Sequence, residues 1–492
     1  MLIQVLQSAL EPMVLLYMAL GVAAGICIGA LPGLTATMGV ALLLPLTFGM
    51  DAESGILMLL GIYVGAIYGG SISAILLHTP GTPASAATAI DGYEFSKRGE
   101  AGRALGISTI SSYIGGLVSV LCLWLISPQL AKLALKFSSA EFFLLAFFGL
   151  CIIANISGKD MEKGLICGLL GILVATIGID SVTSYIRFSH NVNLLSGVPY
   201  IPVMIGLFAM SQGFESIETI YDKDEVNCKV TKILPHKEDW KVILRTAPIT
   251  GLIGTFIGII PGAGADIGSF VGYNTARSLS KTPEEFGKGS PEAVAASEGG
   301  NNGVTGGAMI PMLTLGVPGD AVAAIMIGAL TIQGLTPGPM LFQNNKVLVY
   351  TIFFGMFIAN TFMLLMGLSC IRLFTKVLSV PKTVLTPIIF VLCVIGSFAM
   401  RNNLFDVGVM LVSGIVGYLL SKIKVPTSPA ILGLILGPMA EKNFRTALLK
   451  SGGSVNVFFN TPICWFFLIL IFITLFGKHI KGFFLSFNKQ KG

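Results

Sequence analysis

The sequence predicts an all-α polytopic membrane protein with about 10–12 transmembrane helices, plus re-entrant or broken helices, arranged in two inverted repeats. The 492 residues are 54% hydrophobic and only 11% charged, whereas a soluble domain carries about 25% charged residues. Apolar stretches long enough to span a bilayer recur along the chain, without the strict alternation of a β-barrel strand. A third observation, a duplicated glycine- and proline-containing stretch, indicates the repeat.

The duplicated stretch reads GICIGALPGLTATMG at residues 25–39 and GTFIGIIPGAGADIG at residues 254–268. Each copy is an apolar helix that is interrupted by Pro-Gly and then resumes. In hydrocarbon, such a break leaves backbone N–H and C=O groups unpaired at a cost of several kcal/mol each. It therefore persists only where protein, water or a ligand satisfies these groups. Matching interrupted segments in the two halves of a membrane chain indicate a transporter's binding site.

The two repeats are predicted to span residues 10–217 and 241–477, with a solvated linker at 218–240 and a basic tail at 478–492. Lys and Arg concentrate in cytoplasmic loops. The first basic residue of the chain is Lys97, and a further basic cluster surrounds the linker. Both regions are therefore predicted to be cytoplasmic. The first repeat then starts outside and the second starts inside, which gives them inverted topology.

A second pair of interruptions follows the first. Gly61, Gly65 and Gly69 precede the stretch HTPGTPASAAT, in which Pro80-Gly81 breaks the helix, and Pro318-Gly319 is the counterpart in the second half. Proline ends a helix, and a following Ser or Thr can cap the next one. Each break thus predicts a helix N-terminus, positive through its dipole, at membrane depth. One such break could be a simple kink between packed helices, but two matched pairs favour a site. The predicted break residues are Pro32, Gly33, Pro80, Gly81, Pro261, Gly262, Pro318 and Gly319.

No Lys or Arg lies within residues 25–39, 61–93, 254–268 or 297–340. A bound anion would therefore be held by helix N-termini, backbone N–H groups and neutral polar side chains. The candidates for substrate contact are Thr35, Ser71, Ser73, Thr79, Thr82, Asn301, Asn302 and Thr305.

A coupling cation is predicted beside the anion. Carbonyl groups exposed at the breaks, as at Gly33 and Gly262, are hard oxygen ligands for a small cation. Asp266 and Asp320 are carboxylates in apolar surroundings, which indicate function by default, although either could instead cap a helix. Na⁺ is favoured over H⁺ because carbonyl-rich breaks outnumber titratable groups. No tightly bound metal or other cofactor is predicted, since no zinc-site spacing occurs.

Other functional classes receive less support. The net charge of +6 is spread between apolar runs, which is no nucleic-acid signature. No enzyme is predicted, because HExxH and GxSxG motifs are missing and the four histidines are scattered. His78 lies beside a break and is interpreted as a packed histidine, with a proton relay as the alternative. No Walker A sequence supports an ATP-driven pump, and a channel would need a continuous polar pore rather than paired broken helices.

Four stretches carry a family resemblance: GALPGLTATMGVALLLPLTFGM, YGGSISAILLHTPGTPASAATAIDGYEFSKRGEAGRALG, IPGAGADIGSFVGYNTARSLSK and SEGGNNGVTGGAMIPMLTLGVPGDAVAAIMIGALTIQGLTPGPMLF. In these stretches, and over essentially the full chain, the protein resembles the large membrane subunit of tripartite tricarboxylate transporters, the TctA family. The resemblance implies a multi-pass permease of the bacterial inner membrane that imports a citrate-like tri- or dicarboxylate, driven by an ion gradient. It also implies two partners, a small membrane subunit and an extracytoplasmic solute-binding protein. An ion channel, or a carboxylate carrier acting without a binding protein, is the alternative.

Overall fold

The computed structural model describes the whole chain except residues 157–160, 181, 190, 219–232, 379 and 490–492. Most of the predicted linker at 218–240, and the end of the tail at 478–492, therefore lie outside the described residues. The described part is almost entirely helical, with one two-stranded antiparallel sheet, β1 (Gly178–Ile179) and β2 (Ile186–Arg187).

Residues 1–218 contain ten α-helices among the described residues: α1 (Leu2–Ala9), α2 (Pro12–Ala30), α3 (Ala36–Leu43), α4 (Ala52–Leu77), α5 (Ala86–Lys97), α6 (Ala101–Ala134), α7 (Ser139–Ile156), α8 (Met161–Ala175), α9 (Tyr200–Met204) and α10 (Ser211–Glu218). The remaining helices are α11 (Asp239–Ile259), α12 (Gly264–Leu279), α13 (Pro291–Leu315), α14 (Ala321–Ile332), α15 (Pro339–Asn344), α16 (Lys346–Ser369), α17 (Ile371–Val377), α18 (Lys382–Ala399), α19 (Leu404–Lys422), α20 (Ser428–Lys450) and α21 (Pro462–Lys489).

Six of the described helices are long and apolar enough to cross a bilayer, namely α2, α4, α6, α11, α16 and α19. Shorter apolar helices, including α14 and the start of α7, add to this set. The predicted all-α polytopic membrane protein is therefore confirmed. The inverted orientation of the two repeats stays a prediction, since it depends on the position of a bilayer.

Helices α2 and α4 pack with their backbones in close contact. A Cβ atom added to Gly25 would lie 2.3 Å from the carbonyl oxygen of Ile62, and one added to Gly65 would lie 2.4 Å from that of Val22. Glycines on both helices therefore form the interface, and each accommodates the backbone of the other. Without a hydrophobic driving force in lipid, such small-residue packing is what holds helices together.

Helices α11 and α13 repeat this packing in the second half. A Cβ atom added to Gly254 would lie 2.1 Å from the carbonyl oxygen of Gly300, and one added to Gly303 would lie 2.3 Å from that of Gly251. Gly254 is the sequence counterpart of Gly25. The duplication seen in the sequence is therefore also a duplication of the helix–helix interface.

The chain divides into two compact units. One consists of residues 1–132 and 204–418, and the other of residues 133–203 and 419–492. In the second unit, α20 packs against α7 and α8, and α21 packs against α7. Each unit takes residues from both halves of the chain. The predicted repeats at 10–217 and 241–477 divide the chain by internal duplication, whereas the two compact units divide it by contacts in the folded structure. The repeats stay a prediction.

In the second unit, an ion pair joins Arg445 on α20 to Asp180 in the turn between β1 and β2. Asp180 accepts a hydrogen bond from the Thr183 hydroxyl at 2.7 Å and one from the Val182 N–H at 2.8 Å, and it pairs with the Arg445 guanidinium. The Thr183 and Arg445 contacts hold the pKa of the Asp180 carboxyl well below its usual range. This aspartate is therefore ionised at neutral pH and fixes the loop.

Replacing Gly25 by Ala is expected to lower the free energy of unfolding by about 1–3 kcal/mol, because the new methyl group overpacks the interface against the Ile62 carbonyl. Thermal unfolding of the purified protein in detergent measures this. Gly408→Ala on α19 is the matched control, since nothing lies within 4 Å of a Cβ atom there. Equal losses in the two variants would contradict close packing at Gly25.

Candidate functional site

The first pair of interruptions separates α2 from α3 and α11 from α12. Helix α2 ends at Ala30 and α3 begins at Ala36, while α11 ends at Ile259 and α12 begins at Gly264. Gly33 and Gly262 have φ angles of 89° and 78°, in the left-handed region that favours glycine. The two copies of the motif therefore share a backbone conformation as well as a sequence.

The second pair separates α4 from α5 and α13 from α14. Helix α4 is followed by His78 in the left-handed conformation, at φ 56°, and α13 is followed by Gly316 at φ 70°. The ring of His78 lies against that of Tyr93, tilted, with 4.7 Å between the ring centroids. His78 itself is exposed, so this contact does not establish it as a packed histidine.

Within each repeat the two interruptions lie against each other. A Cβ atom added to Gly81 would lie 2.1 Å from the carbonyl oxygen of Gly29, and one added to Gly319 would lie 2.5 Å from that of Gly258. In the second repeat the Gly262 N–H also donates to the Gly319 carbonyl at 2.6 Å. One break thus satisfies a backbone group exposed by the other, which is the requirement for irregular backbone inside a membrane.

The two repeats also pack on each other at these points. Helix α12 packs against the short 3-10 turn Pro83–Ser85 that follows Gly81, and α3 packs against α14. The segment after the first interruption of one repeat therefore contacts the segment after the second interruption of the other. All four interruptions belong to the first compact unit.

The structure places the predicted substrate residues in two environments. Thr79 is exposed, and Thr35 is half-buried and caps α3 by accepting from the Met38 N–H at 3.1 Å. The others are buried in the core of the first unit: Ser71, Ser73, Thr82, Asn301, Asn302 and Thr305. Thr79 therefore lies apart from the buried candidates.

Three of the buried candidates have polar atoms without a hydrogen-bond partner among the described residues. These atoms are Thr82 Oγ1, Asn301 Oδ1 and Asn302 Oδ1. The amide of Asn301 donates to the Ile67 carbonyl at 3.4 Å, and that of Asn302 to the Glu298 carbonyl at 3.3 Å. Leaving a buried polar group unpaired costs about 1–3 kcal/mol. These side chains are therefore suited to binding a polar ligand rather than to stabilising the fold.

Asp320 and Asp266, the predicted cation ligands, differ in burial. Asp320 is buried and caps α14, with its Oδ1 accepting from the Ala323 N–H at 2.7 Å and its Oδ2 from the Tyr63 hydroxyl at 2.5 Å. Asp266 is exposed in the first turn of α12. Asp320 thus has the capping role that the sequence left open.

Glu298 is a buried carboxylate that the sequence reasoning missed. It lies on α13, fully buried, and is hydrogen-bonded to the hydroxyls of Ser71 and Thr88 at 2.5 Å each and of Ser112 at 2.7 Å. The signal was present in the stretch SEGGNN, where an acidic residue stands between small residues far from any Lys or Arg. In this stretch, only the neutral residues Asn301 and Asn302 were identified as candidates from the sequence.

A second missed carboxylate, Asp91 on α5, binds the loop that precedes α13. It accepts hydrogen bonds from the N–H groups of Gly287 at 3.0 Å, Gly289 at 2.9 Å and Ser290 at 2.8 Å, and from the Tyr273 hydroxyl at 2.9 Å. It joins α5 of the first repeat to α12 and the start of α13 in the second.

These interrupted helices lie in a region of the chain that matches a known protein family. The family model described as "Tripartite tricarboxylate transporter TctA family" matches residues 15–432, a range that includes all four interruptions. The chain belongs to the TctA family. This TctA-family chain is therefore a multi-pass membrane component of a tripartite transporter, and its family is one of transporters rather than enzymes.

Two relatives of the TctA-family chain come from Agrobacterium vitis. The "Uncharacterized 52.8 kDa protein in TAR-I ttuC' 3'region" is 36% identical over 460 residues, which cover 93% of this chain and 91% of that protein. The "Uncharacterized protein in TAR-II ttuC' 3'region" is 39% identical over 210 residues, which cover 43% of this chain and 87% of that protein. No solved structure matches the chain.

Replacing Asp320 by Ala is expected to lower the free energy of unfolding by about 0.5–2 kcal/mol, because α14 loses its N-cap. Asp320→Asn should stay close to the wild type, since Asn caps helices about as well as Asp. Thermal unfolding in detergent compares the two variants. If both lose stability equally, the charge of Asp320 rather than its capping oxygen supports the fold.

Proposed function

We propose that this TctA-family chain is the permease of an ion-gradient-driven secondary transporter. It imports a citrate-like tri- or dicarboxylate that an extracytoplasmic solute-binding protein delivers, and it works with a small membrane subunit in the bacterial inner membrane. The observation that carries the proposal is the assembly of four helix interruptions in one unit, whose buried core also holds polar atoms without a hydrogen-bond partner among the described residues. Paired discontinuous helices of this kind form the substrate sites of secondary transporters.

The substrate is proposed to be an anion held without arginine. Helices α3, α5, α12 and α14 each begin just after an interruption, and their N-termini offer backbone N–H groups and positive dipole ends. The Thr82 hydroxyl and the second N–H of the Asn301 and Asn302 amides, beyond those that donate to backbone carbonyls, add neutral donors within the buried core. These groups suit the oxygens of a carboxylate.

A cation is required because these contacts are weak. Each dipole end contributes about 0.3–1 kcal/mol when exposed and up to about 2 kcal/mol when partly buried, which does not offset the desolvation of a multiply charged anion. Asp266 and Asp320, together with carbonyl groups at Gly33 and Gly262, are the proposed ligands of the coupling ion. Such oxygen ligands favour Na⁺, with H⁺ as the alternative.

Replacing Asn301 or Asn302 by Ala is expected to weaken substrate binding by roughly 1–3 kcal/mol each, because a hydrogen bond to a charged group is lost. Membrane insertion should be unchanged. Uptake of labelled citrate and succinate by cells expressing the complete transporter measures the effect, with the amount of inserted protein determined in parallel.

Asn360→Ala is the matched control for these variants. Asn360 on α16 is also buried, donates to the carbonyl of Met356 four residues earlier at 2.8 Å, and has an Oδ1 without a partner among the described residues. It lies outside the interrupted segments, so its loss should leave the affinity for substrate intact. Normal affinity in the Asn301→Ala/Asn302→Ala double variant would remove both residues from the proposed site.

Reconstitution into liposomes tests the transport function itself. The chain is incorporated with and without its small subunit and binding protein, and citrate and succinate uptake are measured under separate Na⁺ and H⁺ gradients. Uptake is expected only with both partners and with a cation gradient, because the anion needs delivery and charge compensation. Full uptake by this chain alone, with neither gradient, would defeat both the coupling and the tripartite arrangement.

A further inference from the structure

Glu298 stands at the centre of a hydroxyl network in the core of the first unit. Its partners Ser71, Thr88 and Ser112 come from α4, α5 and α6, and each is fully buried. The Thr88 hydroxyl also lies 2.9 Å from Ser297 Oγ, and the Ser297 hydroxyl donates to the Val294 carbonyl at 3.1 Å. Four helices of the two repeats thus meet at one carboxyl group.

The number of hydroxyl protons available for these contacts indicates the charge of this network. It contains five hydrogen bonds: three to Glu298, one between Thr88 and Ser297, and one to Val294. The side chains of Ser71, Thr88, Ser112 and Ser297 carry one hydroxyl proton each, and Thr88 can donate only once. Four protons cannot make five hydrogen bonds. All five contacts are hydrogen bonds at once when the Glu298 carboxyl group is protonated and donates to Thr88 Oγ1, whereas with an ionised Glu298 one of the five carries no hydrogen.

Burial leads to the same conclusion. An ionised carboxylate in the membrane interior is expensive unless a cation pairs with it. None of the ion pairs among the described residues includes Glu298. A neutral carboxylic acid that both donates and accepts needs no such partner.

The surrounding titratable groups do not supply a compensating charge. From α4, the Tyr68 hydroxyl is hydrogen-bonded to Thr109 Oγ1 at 2.8 Å. The charged groups of the other packed helices bind elsewhere: Asp91 of α5 to Tyr273 of α12, Arg103 of α6 to Asp239 of α11, and Glu292 of α13 to Arg245 of α11. The proton on Glu298 is therefore the simplest means of neutralising it.

We infer that Glu298 is a proton-binding site, protonated in this conformation, and that release and rebinding of this proton are coupled to substrate transport. The coupling rests on the proposed transport function, whereas the protonation does not. The site is separate from the Asp266–Asp320 pair, so a proton at Glu298 adds to the cation proposed there. When the proton leaves, the Thr88 hydroxyl can donate to the Glu298 carboxylate instead, and the network as a whole loses one hydrogen bond.

Glu298→Gln tests the inference, because a neutral amide of nearly the same shape mimics the protonated acid but cannot release a proton. Glu284→Gln is the matched control, since Glu284 is exposed and lies outside the network. Infrared spectra of the purified full chain at about pH 7 should show a protonated-carboxyl band in the wild type and in Glu284→Gln that is missing from Glu298→Gln. Equal bands in all three proteins would overturn the protonation.

Transport by the reconstituted complex then tests the coupling. A gradient of about one pH unit can drive about tenfold accumulation for each coupled proton. Wild type and Glu284→Gln should show this proton-driven accumulation of citrate or succinate, and Glu298→Gln should lose it while still exchanging substrate across the membrane. Full proton-driven accumulation by Glu298→Gln would overturn the coupling. Absence of uptake by the wild type under every gradient would instead reject the proposed function, and the infrared band would still decide the protonation.

Discussion

Backbone-to-backbone contact between glycine-lined helices is the constraint on which the rest of this structure depends. Gly25 and Gly65 place α2 and α4 in carbonyl contact, and Gly254 and Gly303 do the same for α11 and α13. The close approach lets Gly81 and Gly319 lie directly on carbonyl groups of the neighbouring helix. Interrupted backbone can then be satisfied by protein rather than by water, as a hydrocarbon environment requires.

The same packing explains why the core of the first unit can be polar. Helices α4 and α13 are almost completely enclosed, so their hydroxyl, amide and carboxyl groups do not contact lipid. Two kinds of polar group result. The Glu298 network is saturated with hydrogen bonds once it holds a proton, whereas the Oδ1 atoms of Asn301 and Asn302 have no partner in the described part of the chain. The first kind holds helices together, and the second is free to recognise a ligand.

The sequence predicted the features that depend on local chemistry. Glycine spacing and Pro-Gly pairs indicated the four interruptions, because proline and glycine act on the backbone where they stand. Hydropathy predicted the helical membrane class. The sequence did not predict the features that depend on contacts between residues far apart in the chain. Glu298 draws its donors from residues far away in sequence, and Asp91 binds a loop in the other repeat. Burial, which separates exposed Thr79 and Asp266 from the buried candidates, likewise follows from tertiary packing.

The Asp91 contacts have a mechanical consequence. Four donors from Tyr273 and the loop at 287–290 converge on this one carboxylate. Sliding α5 away from the loop would strip all four donors at once and leave a buried negative charge, which is strongly unfavourable. We therefore expect helix α5, the adjoining part of α12 and the start of α13 to move together in any rearrangement that exposes the core of this unit. Bending would then occur elsewhere in the chain.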